Sequence, residues 1–213
     1  MAAFLEINNI APQKLAFMSQ GLSGNAFPIK RTNDIGVLKL VFVGRINESK
    51  GLHLLLQAIN ETPDEKIMLD IFGPINDEKY AEEWKSFTNT KKNIKWRGVI
   101  EPAYMVNTLT NYHLLCLPSL ICEMSPLVIQ EAFAAGLPVL ASNVYGNAEQ
   151  IKDGENGWLF KFNDVYDLKN KLQLLINDPL LIEKASEHIT PVKSFETVAD
   201  EHEKLYREIV GAV

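Results

Sequence analysis

Cysteine is scarce in this chain. Cys116 and Cys122 are the only two among 213 residues. They are too few for a disulfide framework and stand at no zinc-ligand spacing, so they read as reduced thiols in a cytosolic protein. Histidine is sparse too, with four copies and none beside Asp or Cys at metal spacing. No metal site is expected. No apolar run approaches the roughly 18 residues that a membrane span needs. The first ten residues lack the basic start and apolar centre of a secretory signal. Basic residues are outnumbered, 21 Lys and Arg against 27 Asp and Glu, for a net charge of −6. Phosphate backbones select basic faces, so nucleic acid is a poor partner. The deficit is also local. From Gly98 to Ile151 there is no Lys or Arg but four Glu, while residues 1–60 carry six basic side chains against three acidic ones. An anion bound by the middle stretch must take its cations from elsewhere in the chain.

The hydrophobic fraction of 46% beside 23% charged residues supports a large core and excludes disordered, collagen-like and coiled-coil classes. The length suits one domain with appendages. Short β-branched or aromatic runs closed by Gly, Pro or Ser predict strands at 37–44, 66–73, 94–98, 113–118, 138–142 and 157–160. Helical patterns lie between and after them at 50–60, 77–90, 102–110, 126–135, 147–152 and 164–176. This alternation predicts an α/β doubly wound parallel sheet, Rossmann-like, with helices on both faces. Ligands of such sheets bind at the carboxyl ends of strands, where helix N-termini also point. Residues 1–36 hold one candidate strand at 14–18, then a loop rich in Gly, Asn, Ser and Pro. Two further helices are expected at 179–187 and 195–210.

Three segments carry chemistry. Gly44-Arg45-Ile46-Asn47-Glu48-Ser49-Lys50-Gly51 follows a strand and opens a helix, so Arg45 and Lys50 sit where two cations can straddle a diphosphate. The same residues are also compatible with solvated charges in a loop. The second segment runs from Glu123-Met124-Ser125-Pro126 through Leu127-Val128-Ile129-Gln130-Glu131 to Gly136. Ser125 is expected to cap a helix, Pro126 to take its first position and Gly136 to stop it. That helix is apolar nearly all round, and an ionised Glu131 about two turns in is costly without a ligand or a cation such as Arg45. Third, Gly146-Asn147-Ala148-Glu149 offers backbone N–H groups to a ligand, or simply caps a short helix. His53 in Leu52-His53-Leu54 reads as packing or surface.

Together these residues resemble the nucleotide-sugar half of group 1, family 4 glycosyltransferases with the GT-B fold. The resemblance rests on Val43-Gly44-Arg45 with Lys50-Gly51, Ile71-Phe72-Gly73, Pro118-Ser119 leading to Glu123, and Pro126 to Ala132. It continues through Gly136-Leu137-Pro138-Val139, Gly146 to Glu149, and Asp153-Gly154 with Gly157, in order and spacing from about residue 37 to 178. The Glu123…Glu131 pair is the most telling element. The resemblance implies a retaining enzyme that moves a sugar from a nucleoside-diphosphate sugar to an acceptor hydroxyl, without a metal or other cofactor. It assigns the diphosphate to Arg45 and Lys50, with Gly44 beside them, and the transferred sugar to Glu123. The distal phosphate falls to the N–H groups of Ser125, Leu127 and Val128, the ribose to Glu131, and the base to backbone near Gly98 and Val99.

Many relatives carry Glu-Gly-Phe-Gly where this chain has Glu123-Met124-Ser125-Pro126. Pro126 has no N–H to give, and Met124 adds bulk beside the sugar. Family enzymes also place an acceptor domain before the donor domain. Residues 1–36 are therefore expected to be a linker remnant from that domain, 37–178 the nucleotide-sugar domain, and 179–213 helices of which the last crosses back to the missing domain. An exposed apolar face should mark that docking surface. The expected partners are the donor and the missing N-terminal domain or a partner chain, with no nucleic acid and no transmembrane segment. The expected location is cytoplasmic, with room for peripheral attachment to the inner membrane face in the whole enzyme. Two other readings stand beside this one: a non-catalytic module that binds nucleotide sugars or recruits a partner, and a sugar-nucleotide epimerase of the same fold.

Overall fold

The structure, a computed structural model, describes residues 8–16, 18, 20–22 and 36–211. All six expected strands are present. They are β1 (Leu38–Val43), β2 (Ile67–Phe72), β3 (Ile94–Gly98), β4 (Leu114–Leu117), β5 (Val139–Ser142) and β6 (Gly157–Phe160). They form one sheet in the order β3-β2-β1-β4-β5-β6, and every pairing is parallel. The helices are α1 (Leu52–Asn60), α2 (Glu78–Thr88), α3 (Met105–Leu109), α4 (Leu127–Ala134), α5 (Tyr145–Ala148), α6 (Val165–Asn177), α7 (Leu180–Glu187) and α8 (Phe195–Gly211).

Strand alternation sorts the core onto two faces. Leu40 and Phe42 of β1 face α1 and α6 through Leu55, Leu56, Leu168 and Leu172. Val41 points the other way, into a second cluster with Leu115, Val139, Ile129 and Phe133 beneath α4. Central strands buried on both faces explain the near-continuous apolar runs that made them legible. Asp77 and Asp164 accept the N–H of Tyr80 and Asp167 and so start α2 and α6.

The strand order reverses direction between β1 and β4, and the chain emerges from both at the same carboxyl edge. That switch point is where an open α/β sheet leaves a crevice. Two close backbone approaches shape it. Gly51 has φ +65°, and a Cβ there would lie 1.8 Å from the Pro118 carbonyl oxygen. Leu120 N–H donates to the Ser49 carbonyl at 2.8 Å, so the loops after β1 and β4 are stapled together.

Several expectations need correction. Pro126 is the cap of α4, not its first helical residue: its ψ of 115° is extended, and no side chain, Ser125 included, caps the helix. Glu131 lies about one turn into α4 rather than two. The short helix foreseen at 147–152 lies earlier, as α5, because Gly146 and Asn147 are its middle. No described residue of 14–18 is in a strand; Lys14 ends a 3-10 turn opened by Pro12, and Phe17 is outside the described residues. Leu22 instead makes an isolated parallel bridge with Ser194, just before α8. Gly136 does stop α4: its N–H bonds the Phe133 carbonyl and that of Leu137 the Ala132 carbonyl, the double bond that ends a helix on a left-handed glycine. No residue of α8 is buried, and Phe195, Tyr206, Ile209 and Val210 are exposed.

Candidate functional site

An open cleft of about 530 Å³ occupies the switch point. Gly44 and Arg45 enter it from the end of β1, Lys50 from the turn before α1, and Ser119 and Glu123 from the loop after β4. Leu127 and Val128 close it with the first turn of α4. The N–H groups of that turn have no carbonyl one turn earlier in their own helix, and the helix dipole adds partial positive charge there. Two cations and a helix N-terminus thus face one space, an arrangement suited to a polyanion.

The electrostatics are more specific than the sequence suggested. Lys50 Nζ lies 2.6 Å from Glu123 Oε1. Both side chains are mostly buried, at 17% and 13% exposure. Ser119 Oγ donates to the same carboxylate oxygen at 2.7 Å. Arg45 is exposed and forms no ion pair with any described residue. Asn47 Oδ1 accepts from Ser49 Oγ and from Lys50 N–H, which fixes the turn that carries Lys50.

Glu131 is partly buried, and its side chain has no hydrogen bond or ion pair with a described residue. The alternative in which it pairs with Arg45 is absent among the described residues. Burial pushes its carboxyl above the ordinary glutamate range. An acid held in a partly dry place without a partner carries a cost that packing alone does not explain.

Of the residues singled out from sequence, the fold brings Gly44, Arg45, Lys50, Glu123, Leu127 and Val128 around one cleft. Ser125, Glu131, Gly98 and Val99 are not in its lining. Ser125 directly precedes the cap of α4, and Glu131 is one turn further along the helix. Gly98 ends edge strand β3 and Val99 follows it, with Val99 67% exposed, and the Gly98 carbonyl accepts from Gly73 N–H. Met124, next to Glu123 in the chain, is 67% exposed and is not in the lining either.

Three side chains given no role by the sequence support the cleft: Ser119 and Asn147, which lie in its motifs, and Ser142. The Ser119 carbonyl accepts from Ser142 Oγ at 2.8 Å, and the Ser142 carbonyl from Asn147 Nδ2 at 3.0 Å. Gly146 N–H donates to the Glu123 carbonyl, so α5 serves this loop rather than a ligand. A Cβ at Gly146 would fall 2.2 Å from that carbonyl oxygen. Ser119 and Asn147 lay within the family-like motifs, and the signal for Ser142 was a small polar residue ending the apolar strand β5. Outside the cleft, His53 Nδ1 and Tyr80 Oη are 2.9 Å apart, and the His53 N–H also donates to that oxygen. His53 is therefore packing, as expected.

Among the described residues no His, Cys, Asp and Glu cluster is placed to hold a metal, and no helix is long and apolar enough to cross a membrane. Cys116 is buried and Cys122 exposed, both free.

The comparisons agree with this fold. Residues 29–190 match the family model for glycosyl transferases group 1. The chain is 31% identical over 151 residues to spore coat protein SA of Bacillus subtilis, covering 66% of this chain and 39% of that protein. It is 27% identical over 148 residues to phosphatidyl-myo-inositol mannosyltransferase of Mycobacterium leprae, covering 68% and 39%. It thus spans about two fifths of the length of these relatives. In fold it is similar to the lipopolysaccharide outer core galactosyltransferase WaaB, with TM-score 0.77 at 18% identity over 97% of this chain and 59% of that one. It is also similar to Anabaena HepE in complex with UDP and glucose, with TM-score 0.72 at 19% identity over 80% and 48%. With its six-stranded parallel Rossmann-like sheet and a family match over most of its length, this chain belongs to the glycosyl transferases group 1 family.

Proposed function

We propose that this chain is the donor-binding half of a retaining glycosyltransferase, and that its cleft holds a nucleoside-diphosphate sugar. The observation that carries the reading is the convergence of Arg45, Lys50 and the α4 N-terminus on one cleft whose other wall presents Glu123. Arg45 and Lys50 hold the diphosphate and offset the charge that develops on the leaving nucleotide. The first-turn N–H groups of α4, from Leu127 and Val128 with Ser125 just before the cap, face the distal phosphate. Glu131 accepts hydrogen bonds from the ribose diol, which supplies the partners it lacks in the free chain. Glu123 contacts the transferred sugar, beside the exposed side chain of Met124. Backbone near Gly98 and Val99 receives the base. No residue needs a metal for these roles, because the cations come from the chain itself.

The acceptor hydroxyl attacks the anomeric carbon while the nucleoside diphosphate leaves. Groups that hold the acceptor belong to the other domain of the whole enzyme; α8 is the described element that connects to it, and most of the linker expected at 1–36 lies outside the described residues. The complexed neighbour, HepE with UDP and glucose, supports the choice of donor class. The exposed apolar side chains of α8 support a docking role.

Titration calorimetry of the chain with UDP, GDP, ADP and their sugars tests this reading. Binding of at least one pair, lost in both Arg45→Ala and Lys50→Ala, is the expected result. Unchanged binding in both variants would refute the diphosphate assignment.

A further inference from the structure

Lys50 and Glu123 present a conflict that the cleft must resolve. Their ion pair neutralises the cation that the diphosphate reading requires. A bound diphosphate carries more negative charge than one carboxylate, so it draws Lys50 Nζ away from Glu123. Glu123 then loses one of the two donors on its Oε1. Its Oε2 has no hydrogen bond with a described residue. The donor that stays is Ser119 Oγ, at 2.7 Å.

Ser119 is suited to that task by its own fixation. It is 2% exposed. Its carbonyl is held by Ser142 Oγ, and Ser142 in turn by Asn147, both of them fully buried. The Glu123 backbone is fixed from the same side by the Gly146 N–H. The carboxylate is thus anchored to the sheet at both its backbone and its head group, whereas Lys50 reaches it on a flexible stem.

We propose that Ser119 is a positioning residue that holds the Glu123 carboxylate in place once Lys50 has turned to the donor's diphosphate, leaving Oε2 free to accept a hydrogen bond from the sugar. This rests on the nucleotide-sugar reading of the cleft. It gives the serine a specific consequence: it contributes to recognition of the sugar and not of the nucleotide.

The test is calorimetry of the chain with a nucleoside diphosphate and with the matching sugar nucleotide, using the UDP, GDP or ADP pair that binds. Ser119→Ala should lower affinity for the sugar nucleotide about tenfold, the size of one hydrogen bond to a charged group. Affinity for the diphosphate alone should not change. In a Glu123→Ala background the same substitution should have no effect on either ligand. Ser119→Cys keeps the side-chain shape with a larger, weaker donor and should fall between serine and alanine. Equal losses for both ligands, or a loss that persists without Glu123, would overturn the positioning role while leaving the donor reading standing. A wild-type chain that binds none of the probes would overturn the donor reading and this proposal with it.

Discussion

Glu131 offers a test in which function and stability pull in opposite directions. The carboxylate is partly buried, has no described partner and is pushed above its ordinary value of 4.5 by desolvation. The folded chain therefore holds this proton more tightly than the unfolded chain. Stability is greatest while the group is protonated in both states, and falls as pH rises from the unfolded value through the folded one. At neutral pH the ionised group costs folding free energy. An unsatisfied buried polar group costs about 1–3 kcal/mol, and the partial exposure of Glu131 places it near the lower end, about 1 kcal/mol. Glu131→Gln removes the charge and keeps the shape. In a domain of this size about 1 kcal/mol is worth roughly 2–4 °C in Tm. Thermal melts at pH 8 should show Glu131→Gln above wild type by that amount, and melts near pH 4 should show the two together. The same variant should bind a ribonucleotide ligand more weakly, with a smaller loss for the 2′-deoxy analogue. A glutamine variant that melts below wild type at pH 8 would refute the reasoning, because the carboxylate would then have a favourable partner in the free chain.

Other consequences concern the cleft and its supports. Arg45→Ala should leave Tm unchanged, since the exposed guanidinium pairs with no described residue, while Lys50→Ala should lower it by about 2–6 °C because Glu123 keeps only Ser119; parallel melts distinguish them. Gly146→Ala should destabilise the chain by about 1–3 kcal/mol, as overpacking does, and weaken sugar-nucleotide binding by moving Glu123. Denaturant titration and calorimetry read the two effects, and a neutral alanine would remove α5 as the clamp on that loop. Burial holds His53 below its ordinary value, so its unfolded form takes up a proton first and the chain should lose stability as pH falls below about 6.5. His53→Gln should flatten that part of a Tm-against-pH profile, and an unaltered profile would exclude the histidine as its cause.

The legible parts of this protein are those set by local pattern. β1 and β4 were visible because strands buried on both faces are continuous apolar runs, and α2 and α6 because Asp77 and Asp164 cap them. Gly44-Arg45 and Lys50 were visible because they join a strand end to a helix start. Pro126 misled because its ring suits both a cap and a first helical position, and only its ψ decides between them. The described residues of 14–18 form no strand, because a short apolar run needs a neighbour to pair with.

Sequence by itself determined the parallel α/β class, the six strands and the family, since periodicity, punctuation and motif order are one-dimensional properties. Tertiary structure decided which charges meet. Lys50 and Glu123 are 73 residues apart and become an ion pair only because β1 and β4 are sheet neighbours. Ser142 reaches the Ser119 carbonyl only because β4 and β5 are neighbours too. Glu131 is left without a partner for the same reason: burial and pairing depend on what the whole chain brings alongside a residue, and no spacing along the sequence contains that.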